Sequence, residues 1–121
     1  MEKIITIDGK DIGFKSSAAF LLRYRDYFGA DGLKDLKNLQ TLGAEGDLNS
    51  LIMMERMVWC LAKTYSKKVP PLEDWLDNFE NFDIGEIFTE LAPLINQSLG
   101  MVEQLDGETD AKNAEQSQAT D

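Results

Sequence analysis

DLNSLIMMERMVWCLAKTY, Asp47 to Tyr65, is the stretch on which the fold turns. At 100° per residue Asn49, Arg56 and Lys63 fall on one narrow stripe, and most other positions are apolar. A helix with so thin a polar strip has to be packed on most of its sides. The segment is therefore expected at the centre of the core, with Asp47 capping its start. Glu55 breaks the pattern: it lies between Leu48 and Ala62 in the apolar arc, where an ionised carboxylate requires a partner or water. Arg23, flanking the apolar face of an earlier helix, is the expected partner, since its planar fork can reach a carboxylate from a buried stem.

Upstream, KIITIDGKDIGFK alternates short Ile- and Phe-rich runs around Asp8-Gly9, a pair that accepts the positive φ angles of a tight turn. Strands are predicted at 3–7 and 10–15, with Ile5 opposite Ile12. An isolated hairpin is marginal in water, so its apolar face must be covered by a helix. Ser16 or Ser17 is placed to cap a first helix running to Phe28, with Phe20, Leu21, Tyr24, Tyr27 and Phe28 on one arc, Leu22 off it and Gly29 as the left-handed stop. A second helix is predicted over 31–42, opened by Asp31 and buried through Leu33, Leu36 and Leu39.

Downstream, Pro70-Pro71 ends the central helix, and Pro71 suits the first turn of a short one bearing Leu72, Trp75, Leu76 and Phe79. Asp83 and Glu86 have the spacing of a capping box for a last helix with Ile84, Ile87, Phe88, Leu91, Leu94 and Ile95 on its apolar face. Pro93 inside that pattern removes a backbone donor and predicts a kink or break near Glu90.

The expected fold is thus mostly α, of the α+β kind: an N-terminal two-stranded hairpin packed on about five helices in one domain over 1–100. Residues 101–121 hold six acidic residues, one lysine and no aromatic residue, the composition of a disordered acidic tail. The chain has 121 residues, enough for one core, and a formal charge of −10 with 12 basic against 22 acidic side chains. That balance argues against a phosphate-gripping nucleic-acid binder. The longest apolar runs fall far short of the roughly 20 residues of a membrane span, and one cysteine permits no internal disulfide, so the expected location is the cytoplasm, away from membranes.

Chemistry is scarce. The absence of histidine removes Ser-His and Cys-His pairs together with the commonest metal ligand. Cys60 lies in an apolar helical run and reads as a small core residue. Glu73, Asp74 and Asp77 sit where a helix dipole favours acids, which explains them without catalysis. No metal, cofactor or enzymatic activity is expected. Trp59 and Trp75 read as core anchors and Met53, Met54 and Met57 as fillers, although Met53, beside the polar stripe, is also a candidate for adaptable partner contact.

Two stretches carry a family pattern: LLRYRDYFGADGLKDL, Leu21 to Leu36, and PPLEDWLDNFENFDIGEIF, Pro70 to Phe88. With IDGKDIGFKSSAA they cover most of residues 5–90. They resemble the small tail assembly chaperones of siphovirus-type, long-tailed bacteriophages and prophages of Gram-positive bacteria. The resemblance implies binding without catalysis: a host-cytoplasmic protein, absent from the mature virion, that holds the tape-measure protein soluble, helps the tail-tube protein assemble around it and self-associates. Leu22, off the arc of its helix, nearby Arg25, and Met53 are the candidate partner-binding residues. The competing reading is a small acidic regulator or inhibitor from a mobile element that binds one basic protein, with mimicry of DNA as one form of it.

Overall fold

The computed structural model describes residues 1–42 and 47–100, with Leu42 described by its backbone alone. The expectations for the connector 43–46 and for the tail 101–121 fall outside these residues. Two strands, β1 (Glu2–Ile7) and β2 (Lys10–Lys15), are followed by five helices: α1 (Phe20–Phe28), α2 (Gly32–Leu42), α3 (Leu48–Tyr65), α4 (Leu72–Leu76) and α5 (Ile84–Leu99).

The strands pair antiparallel in the expected register, with Ile5 opposite Ile12 and Ile7 opposite Lys10. Asp8 at φ 55° and Gly9 at φ 78° make the turn, and Asp8 is the only non-glycine residue at positive φ among the described residues. Such a conformation is tolerated by Asp better than by most side chains. The Asp8 carboxylate then does a second task, accepting the backbone N–H of Glu80 at 2.9 Å and the side-chain amide of Asn81 at 3.4 Å. Lys10 donates to the carbonyl of Asn78 at 2.6 Å and lies over the Phe79 ring. The hairpin turn is thereby clasped to the connection between α4 and α5. Those amides hold the Asp8 carboxyl below its ordinary value, that of Glu80 first.

The core is one cluster running from Ile5, Ile7 and Phe14 through Phe20 and Tyr24 to Trp59, Trp75, Leu91, Leu94 and Ile95. Helix α3 is its axis and touches β2, α1, α2, α4 and α5. Its residues 57–62 are all buried. Helices α1 and α3 share an edge-to-face contact between Phe28 and Trp59, with centroids 5.3 Å apart, while Trp75 gathers Phe79 and Phe82 around it. The indole N–H of Trp59 donates to the carbonyl of Pro70 at 2.8 Å, so this anchor is buried with its polar handle satisfied.

The caps fall largely where predicted. Asp31 accepts from the amide of Lys34, Asp47 from that of Ser50, and Asp83 from that of Glu86. Gly29 closes α1 in the left-handed region. The exception is the start of α1: Ser17 Oγ accepts from Ala19, ordering a turn that precedes the helix, and Ala19 occupies the cap position without a side-chain bond. Helix α5 is not broken at Pro93. The proline ring is exposed while Leu91, Leu94 and Ile95 on the opposite side are buried, and this packing holds the helix through the missing donor.

Candidate functional site

An apolar opening with helical walls lies where α2 and α5 diverge over α3. Leu36, Leu39 and Gln40 of α2 face Gly85, Phe88, Thr89, Ala92, Ile95 and Asn96 of α5, with Met54 of α3 as its floor, around a cavity of about 380 Å³. Every α5 residue on this wall comes from one helical face, 85, 88, 89, 92, 95 and 96, and the small Gly85 and Ala92 leave the opening between larger neighbours. Three neutral polar side chains, Gln40, Thr89 and Asn96, border it. A cleft of this make-up can accept apolar side chains spaced one helical turn apart; it offers no charge and no nucleophile.

The three residues singled out from the sequence do not converge. Leu22 is exposed and Arg25 projects into solvent, paired among the described residues only with its neighbour Asp26 at 3.5 Å. These two do share a shallow hollow of about 460 Å³ at the α1–α2 junction, floored by Gly29 and Gly32. Met53 is half-buried in a different hollow, between α2 and the start of α3, beside Asn38, Thr41 and Ser50. It is Met54, assigned from the sequence to the core alone, that floors the α2–α5 cleft. One residue on α3, about 100° of phase, separates the two readings, and only the positions of α2 and α5 resolve it.

The expected Glu55–Arg23 pair is not formed. Arg23 donates through Nη1 to the hydroxyl of Thr64 at 2.6 Å, and Thr64 in turn donates to the carbonyl of Cys60. The reason is the direction of α1. It runs antiparallel to the second half of α3, with Phe28 on Trp59 and Arg23 at Thr64, about 13 Å further along the helix than Glu55. Glu55 forms no ion pair among the described residues, and partial burial pushes its carboxyl above the ordinary value.

Other titratable groups are used structurally. The buried Tyr24 hydroxyl donates to Asp35 at 2.7 Å, joining α1 to α2, and burial followed by that carboxylate raises its pKa. Cys60 is buried, and desolvation pushes its thiol to about 12. Lys63, on the polar stripe of α3, donates to the carbonyls of Lys67 and Val69 and fastens the chain reversal after the helix. Among the described residues no three His, Cys, Asp or Glu side chains gather to hold a metal ion, and no helix is long and apolar enough to cross a membrane.

Comparison with protein-family models, with curated proteins and with solved structures gave no match.

Proposed function

We propose that this chain is a tail assembly chaperone of the siphovirus type, which binds helical segments of a tape-measure protein and keeps them soluble until tube protein arrives. The resemblance of Leu21–Leu36 and Pro70–Phe88 to that family supplies the identity of the partner. The observation that carries the binding mode is the apolar cleft between α2 and α5, floored by Met54 and walled by Leu36, Leu39, Phe88 and Ala92. A tape measure is a long helical chain that would expose apolar stripes before its tube forms, and a flexible methionine under a cleft suits a succession of similar but unequal side chains. The formal charge of −10 adds mutual repulsion between coated chains, which opposes aggregation.

Co-expression tests the proposal. With the tape-measure protein encoded beside its gene, this chain should bring that protein into the soluble fraction, and Met54→Asp, which places a charge on the cleft floor, should abolish the effect. A tape measure that remains insoluble in the presence of the wild-type chain, together with a nuclease or repressor gene as the neighbour, would favour the acidic inhibitor instead.

A further inference from the structure

The first half of α3 has one face without a neighbour among the described residues. Leu48 is 71% exposed and Leu51 40% exposed, Ile52 is half-buried, and Tyr27 of α1, 56% exposed, continues the strip through its edge contact with Trp59. Leu48, Leu51 and Glu55 project within about 60° of one another at 100° per residue. The second half of the same helix, residues 57–62, is buried. The strip therefore begins where the fold stops covering an apolar helix. Singly exposed leucines are ordinary, but apolar side chains of one face surrounding a carboxylate are not.

Glu55 selects the occupant. It lies among these residues without an ion pair among the described residues, and Arg56, the adjacent cation, is turned 100° away over the ring of Phe28. A second copy of the chain would bring another Glu55 and a formal charge of −10 to the same face. The chain's own residues 101–121 would bring six acidic residues against one lysine. Both are electrostatically mismatched, whereas a lysine or arginine set among apolar residues is matched in sign and in setting.

We infer that the Leu48–Leu51–Glu55 face of α3, with Tyr27 beside it, is a docking surface for an amphipathic partner helix whose apolar stripe carries a lysine or arginine directed at Glu55. The inference rests on the chaperone reading for the partner's identity alone: the cationic stripe is the part of a tape measure this face would select. Tight apolar contact around the pair excludes water from it, which strengthens the attraction and rejects helices carrying an acid at the same place.

The test uses the full chain and two sets of fluorescent peptides, one tiling the co-encoded tape-measure protein in 25-residue steps, the other a designed Leu-rich amphipathic helix with one lysine in its stripe. Binding peptides should carry a basic residue in the apolar stripe. Leu51→Ser and Glu55→Gln should each weaken them about tenfold or more with an unchanged melting temperature. A peptide with that basic residue changed to Glu should lose wild-type binding and regain it with Glu55→Lys. Equal binding by wild type and both variants would overturn the assignment of this face and leave the chaperone reading standing. Should only the designed helix bind, with the same dependence on Glu55, the face would be upheld and the tape measure excluded as its partner; if neither set binds, both readings fall. A dimer dissociated by Leu51→Ser, or binding that emerges only on removal of residues 101–121, would overturn the inference in favour of a second copy or the chain's own tail.

Discussion

At Gly13 the absence of a side chain is a packing requirement. A Cβ there would overlap the ring of Tyr65, which folds from the end of α3 onto β2 opposite Ile4. Gly13→Ala should destabilise the protein by about 1–3 kcal/mol in urea unfolding, as overpacking does. In a Tyr65→Ala background the same change should be neutral or stabilising by up to about 1 kcal/mol, because only the unfolded-chain entropy term remains. Additive costs in the two backgrounds would disprove the contact. Cys60 offers a pH-dependent counterpart. Burial raises its folded pKa to about 12 from the ordinary thiol value of 9.0, so the stabilisation it represents is complete below about pH 9 and is lost as pH rises from there towards 12. Cys60→Ala should consequently lose less stability than wild type between pH 8 and pH 10.5, and the native thiol should react with a disulfide reagent only as fast as the protein opens. Neither interaction was readable from sequence. The apolar run around Cys60 announces its burial, but Gly13 and Tyr65 are brought together by tertiary packing that no local pattern records.

At the scale of elements, the hairpin and the helices could be read closely because each boundary carries its own chemistry: Asp8-Gly9 for the turn, Asp31, Asp47 and Asp83 as caps, Gly29 as a stop. What failed were inferences across elements. Arg23 and Glu55 were matched on charge and face alone, but the antiparallel run of α1 delivers Arg23 to Thr64. Glu55 does lie in the apolar arc of α3, but that arc is fully buried only over residues 57–62, so the carboxylate is half-buried without an ion pair among the described residues. Of the kink or break expected near Glu90, a break does not occur, since local propensity is overruled by the burial of Leu91, Leu94 and Ile95. Pro93→Ala should restore one backbone donor and raise stability by about 1–3 kcal/mol. If the change destabilised the protein, the proline would have to be fixing a bend on which the α2–α5 cleft depends. The cleft itself was hidden for a similar reason: Met53 and Met54 are adjacent in sequence, and which of them faces an opening depends on where α2 and α5 stand.

At the scale of the described residues, one core gathers around α3, and two of the apolar surfaces left open are the α2–α5 cleft and the first turns of α3. Both are helical, and both suit helical partners. Residues 101–121 contribute six acidic residues against one lysine and little apolar surface to bury, so truncation after Gly100 should leave the melting temperature within about 2 °C of the full chain in a calorimetric scan. A larger fall would show that this segment joins the core. Net charge, absent histidine and amphipathic pattern were enough to direct attention to binding rather than catalysis; the place of binding required the fold. On the proposed chaperone reading, a domain of this size would span only a short length of a helix rising 1.5 Å per residue, so protecting a long tape measure would require many copies on one chain. Weak contacts between neighbouring copies would make the coating cooperative and still removable. Size-exclusion chromatography with light scattering on the co-expressed complex tests this most directly: the account predicts a soluble particle containing one tape measure and several copies of this chain, and it is contradicted if the tape measure stays insoluble and no complex forms at any salt concentration.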